Sequence, residues 1–105
     1  MYLPRAYTQQ ARFRAAVARV AKSFAPHVVD IITTFENDWT GEPAVFLMVI
    51  LADADTGPNR LRDITNQVER AITDRVEPME KWGVYPYFNY RSQSEQAKLD
   101  PAALA

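Results

Sequence analysis

Two carboxylates one residue apart, Asp53-Ala54-Asp55, close the longest apolar run of the chain. Such a pair at a strand end can hold Mg²⁺ for phosphoryl transfer. A nucleotidyltransferase pair, however, follows a Gly-Ser helix start, and none precedes this one. The glycine-rich loops that cradle phosphates are also missing. A solvated strand end with a turn-forming acid accounts for the pair, and a metal-dependent phosphotransfer fragment built on Asp53 and Asp55 is the weakest functional reading. Glu36, Asp38 and Glu42 form a second acidic group, too sparse for a calcium loop. His27 is the sole histidine and there is no cysteine, so neither a zinc site nor a disulfide is expected. Serines 23, 92 and 94 have no base in view to activate them. No metal, no cofactor and no enzymatic activity are expected.

Charge and aromatic residues offer two further possibilities. The net charge is −1, unevenly spread. Residues 1–29 carry +5, residues 30–80 carry −7 and the remainder +1. Arg12, Arg14, Arg19 and Lys22 on the first helix could bind nucleic acid or an acidic partner, although complementarity within the molecule accounts for them equally. In "KWGVYPYFNYR", residues 81–91, cations are interleaved with Trp82, Tyr85, Tyr87 and Tyr90. Aromatics on an open sheet can stack bases. Tyrosine and tryptophan are also the favoured residues of protein interfaces, and the acidic surroundings favour that reading.

Elements must position these groups. Phe13, Val17, Val20 and Phe24 recur at helical spacing and predict a helix over residues 8–25, capped by Thr8 and stopped by Pro26. The β-branched residues of 27–36 predict a strand, with Val29, Ile31, Thr33 and Phe35 on its core face. "NDWTGEP" reads as a hairpin turn. Asp38 bonds amides ahead of it, Gly41 supplies positive φ and Pro43 enters the next strand. Trp39 is left to lie over the hairpin end. Residues 44–53 are apolar on both faces, as in a strand buried on both faces. Gly57-Pro58 starts a second helix over residues 58–77, with Leu61, Ile64, Val68, Ala71, Ile72 and Val76 as its stripe. Residues 84–91 form a third strand, marked as an edge by Pro86.

The order αββαβ gives an α+β fold, a three-stranded mixed sheet of order 1-2-3 with two helices mainly on one face. It looks like a ferredoxin-like sandwich lacking its first strand. One domain over residues 1–105 is expected, with 1–7 and 93–105 as flexible or packing arms. No run reaches the ~20 apolar residues of a membrane helix, and a cytoplasmic location is expected. The helices cover one face, so the other carries Phe46, Met48 and Ile50, or else the Val45 set, and the expected contact residues are Ile32, Phe46, Met48, Ile50, Tyr85 and Tyr87, with Trp39 at the rim. That is more apolar surface than a monomer ordinarily leaves wet. A homodimer through this face is the expected partner arrangement, a different protein the next. The opposing expectation is that the tail with Leu99 and Leu104, or the N-terminal "MYLP", folds over it.

The stretch Asp38-Trp39-Thr40-Gly41-Glu42-Pro43-Ala44, with the later "FNYRSQSEQ" of residues 88–96, resembles a pattern in small bacterial proteins. The resemblance spans about residues 28–96. Some members of that group belong to two-component systems with nuclease or nucleotidyltransferase partners. This would imply a neutralising, non-enzymatic subunit and assigns no site residues.

Overall fold

A computed structural model describes residues 3–99. Two helices, α1 (Arg5–Thr8) and α2 (Gln10–Ser23), precede the antiparallel hairpin of β1 (Val28–Asn37) and β2 (Pro43–Leu51). A 3₁₀ turn at Asp53–Asp55 leads to α3 (Pro58–Ala71), a π-helical segment (Ile72–Val76) and the short α4 (Pro78–Trp82). Strand β3 (Tyr85–Ser92) and α5 (Gln93–Leu99) complete the described chain. The sheet order is β1-β2-β3, with β3 parallel to β2. The fold is α+β, and α1–α4 lie on one side of this mixed sheet.

Val45, Leu47, Val49 and Leu51 point into that helix layer and are fully buried. Phe13, Val17 and Val20 meet them from α2, and Ile64, Val68, Ala71, Ile72 and Val76 from the second helical stretch. Phe13 is the hinge pin of this layer. Its ring meets Phe35 edge-on at 5.4 Å and Trp82 at 5.3 Å. Trp82, expected among the surface aromatics, is buried instead. Its indole N–H donates to the Val76 carbonyl at 3.1 Å, and the Arg5 guanidinium lies 4.2 Å above its ring. A core indole needs such a polar partner, and the chain supplies it six residues upstream.

Several boundaries differ from the sequence reading. Thr8 does not cap the long helix, because its hydroxyl donates to the Arg5 carbonyl within α1. Gln9 breaks the backbone at φ −127°, and α2 starts after it. The second helix ends at Val76 because Glu77 takes the left-handed conformation, φ 54°, and Pro78 then opens α4. In β1 the register slips between Val28 and Asp30. This bulge turns Val28 into the core and leaves Val29 exposed, contrary to the even alternation expected. Pro4 packs at Gly83, on the side of the helices and not on the open face. Met1, Tyr2 and residues 100–105, including Leu104, lie outside the described residues.

Two backbone groups on the outer margin of β1 are bonded by side chains. Arg14 donates to the Thr33 carbonyl at 3.0 Å and stacks over Phe35, while the Ile31 amide donates to Asp30 Oδ1 at 2.8 Å.

The two sides of the central sheet should respond differently to truncation. Leu47→Ala is expected to cost about 2–5 kcal/mol, while Thr34→Ala, on the opposite side, costs under about 1 kcal/mol. Urea denaturation of both variants measures the contrast.

Candidate functional site

The face turned away from α1–α4 is built in rows across the strands. Register places Glu36, Ala44 and Tyr85 in the first, and Thr34, Phe46 and Tyr87 in the second. Ile32, Met48 and Asn89 make the third, and Asp30, Ile50 and Arg91 the fourth. All seven residues expected at an interface stand on this side of the sheet or at its end. Six leave surface open to solvent. Phe46, Met48 and Tyr87 are half-buried, and Ile32, Tyr85 and Trp39 are exposed.

Ile50 is the exception, at 3% exposure. Helix α5 crosses its end of the face, and Gln93, Gln96 and Ala97 border a groove shared with Val29, Asp30, Ile32 and Ile50. Among the described residues, the tail thus folds back over this end of the face alone. Leu99 points outward. The helix is placed by polar contacts. Ser92 Oγ accepts from the Glu95 amide, and Glu95 Oε1 accepts from the Ser92 amide, both at 3.1 Å. This is a Ser-x-x-Glu capping box, legible in "SQSE" and missed there. Its backbone hydrogen bond to Ser92 holds Glu95 below the usual carboxylate range. Asp53 accepts from both the amide and hydroxyl of Ser94, which lowers its pKa in turn.

The acidic turn organises the other end. Asp38 Oδ1 accepts from the Thr40 hydroxyl at 2.6 Å, the Thr40 amide at 2.9 Å and the Glu42 amide at 3.1 Å. Gly41 takes φ 87°. Asp38 Oδ2 accepts from the Tyr87 hydroxyl at 2.9 Å. These bonds, the Thr40 hydroxyl foremost, hold Asp38 below its ordinary pKa. Burial and the Asp38 contact push Tyr87 up. The clamp fixes Tyr87 at the centre of an aromatic cluster. Phe46 stacks on it at 5.1 Å, Tyr85 lies at 5.0 Å and Trp39 at 5.2 Å. Trp39 does not cover the hairpin end as expected. It is 80% exposed on a turn outside the strands, and among the described residues its aromatic neighbour is Tyr87.

Asp53 and Asp55 do not converge on a common point. Asp55 is buried at 5% exposure, with His27 Nδ1 at 3.0 Å and Arg60 Nε at 2.9 Å. A carboxylate oxygen only accepts, so His27 Nδ1 carries the proton. The His27 contact, then Arg60, lowers the Asp55 pKa. The pair therefore ties β1, the 3₁₀ turn and α3 together, while Asp53 serves α5. Among the described residues no cluster of three metal-ligating side chains occurs. Of the four cations considered for nucleic acid, Arg14 is committed to Thr33, while Arg12, Arg19 and Lys22 are exposed on α2. They belong to the helix layer, so the basic helix and the aromatic cluster occupy opposite sides of the molecule. No described helix is long and apolar enough to cross a membrane.

No family model, curated protein or solved structure matches the chain.

Acid should loosen the joints that these aspartates make. A depressed folded-state pKa contributes stability above the unfolded value, near 3.9, which is lost as pH falls through the folded value. The urea midpoint should hold from about pH 7 to 5 and drop below about pH 4. Asp55→Asn should lower the midpoint at neutral pH and reduce the acid slope; an unchanged slope would assign it to other groups.

Proposed function

We propose that this protein is a non-enzymatic interaction module that associates with a second copy of itself through the open sheet face. The reading rests on one observation: Ile32, Phe46, Met48, Tyr85, Tyr87 and Trp39 leave apolar and aromatic surface contiguous on one side of the sheet. Water contact with such a patch is unfavourable by roughly 25 cal/mol per Å². A contiguous group of this kind is more than scattered surface residues account for. The composition suits an interface, with Phe46, Met48 and Tyr87 in the middle, Trp39 at one end and Glu36, Asp38 and Asp30 at the margin.

The same acids argue against nucleic acid on this face, since bases stacked on Tyr85 and Trp39 would bring phosphates toward Glu36, Asp38 and Glu42. A symmetric pair is the commonest soluble assembly and asks only that the face be complementary to itself. A neutralising subunit that binds a different protein would use the same surface and would compete with the self-association.

Sedimentation equilibrium between about 1 and 100 μM tests the reading, a range that spans micromolar dissociation constants. The wild-type chain should reach twice its monomer mass, and Phe46→Glu and Met48→Glu should remain monomeric with unchanged circular dichroism. A wild-type monomer throughout that range overturns the proposal.

A further inference from the structure

Two aromatic rings of this protein are covered by its own arginines. Arg5 lies 4.2 Å above Trp82, and Arg14 lies 4.9 Å above Phe35. The cluster at the hairpin end differs. Trp39 is 80% exposed and Tyr85 49%, and among the described residues neither has a cation over its ring. The charges beside them are acids. We propose that Trp39 and Tyr85, with the glutamates around them, form a site for the guanidinium of an arginine carried by a segment of another protein. The site does not require the self-association proposed above, whose centre lies in the middle rows.

The rings are held ready for such a contact. Tyr87 is fixed by its bond to Asp38 and stacks on Phe46. Trp39 and Tyr85 lean on it at 54° and 50°, their centroids 5.2 and 5.0 Å away, and both keep surface toward solvent. The face of an aromatic ring carries negative potential and attracts a cation, that of tryptophan most strongly. A guanidinium is planar and weakly hydrated, so it stacks on such a face at less cost than a compact ammonium.

The charges point the same way. The Asp38 amide donates to the Glu42 carbonyl at 2.8 Å, closing a turn that keeps Glu36 and Glu42 within three residues of Trp39. Register sets Glu36 in the row of Tyr85. Two grooves, of about 320 and 300 Å³, flank Tyr85 and share Met79. The charged residue lining the first is Glu42, and those lining the second are Glu69 and Glu80. Among the described residues, Glu36, Glu42 and Glu80 form no ion pair. The cations that could answer them are engaged elsewhere. Lys81 pairs with Glu77 at 2.8 Å, Arg5 covers Trp82, and Arg91 bonds Gln96 at the far end of the sheet. This end of the molecule thus offers ring faces and carboxylates and lacks the positive group that would complete them.

Titration of the full chain with a capped peptide of alternating arginine and glycine, followed by Trp39 emission, tests the site. Peptides with lysine or glutamate in place of arginine are the comparisons. The arginine peptide should bind, the lysine peptide about fivefold more weakly, and the glutamate peptide not at all. In calorimetry Trp39→Ala should weaken arginine binding about fivefold and Glu42→Gln about twofold. Asp74→Asn, the same charge change on the helical side, should leave it unaltered. The titration is repeated in Met48→Glu, so that pairing of two copies cannot mask the site. No binding by either protein up to about 1 mM peptide, binding that Trp39→Ala leaves intact, or equal losses in Glu42→Gln and Asp74→Asn each overturn the proposal. Sedimentation of the same samples reads self-association separately: a wild-type monomer that binds the arginine peptide overturns the dimer and keeps the site.

Discussion

Strand β2 has apolar side chains on both of its faces, and α1–α4 can reach only one. Everything else in the molecule is arranged around that asymmetry. The inner set, Val45, Leu47, Val49 and Leu51, is sealed by Phe13, Ile72 and their neighbours, and supplies the stability of the fold. The outer set is divided: α5 shelters Ile50, and Phe46 and Met48 stay half-open. Helix α5 has no buried residue of its own and is positioned by Asp53, the Ser92–Glu95 box and an Arg91–Gln96 bond. Polar geometry thus decides where the covered part of the face ends and the open part begins.

The acids read first as candidate catalysts turn out to be joints. Asp38 folds the turn and clamps Tyr87, Asp53 places α5, and Asp55 locks His27 and Arg60 at the opposite end of the hairpin. Each carboxylate is engaged by several donors, which favours its charged form and makes it a poor general base at neutral pH. Tyr90 shows the converse. Burial, then its bond to Glu69 at 2.5 Å, pushes its hydroxyl far up, so it works as a fixed donor bridging β3 and α3.

Much of this was legible in the chain itself. The helical stripe from Leu61 to Val76, the double-sided apolar strand and the Asp38–Gly41 turn follow from periodicity and turn chemistry, which are local properties. Strand alternation also sorted the β2 residues into two sets, but which set the helices cover is decided by the packing of Phe13, Val68 and Ile72 against Val45, Leu47, Val49 and Leu51. What escaped depends on single backbone departures. The bulge at Val29 inverts two residues against the expected alternation, and only pairing with Leu51 and Ile50 reveals it. The break at Gln9 and the left-handed Glu77 have no glycine to announce them. Trp82, grouped with the surface aromatics, is buried, and Trp39 stands exposed at the rim and does not lie over the hairpin end, because burial of an aromatic depends on which element passes over it. The α5 cap was the exception, since its Ser-x-x-Glu signature was in plain sight.

The outer rim of β1 bears on how another strand could add to the sheet. Arg14 occupies the Thr33 carbonyl and Asp30 the Ile31 amide, so a strand approaching this edge meets two side chains already bonded to it. Ribbon-by-ribbon growth of the kind that seeds fibrils needs a continuous ladder of such groups. A strand added beside β1 must displace these side chains first, while β3, the other edge of the sheet, carries Pro86, which has no N–H to offer a newcomer.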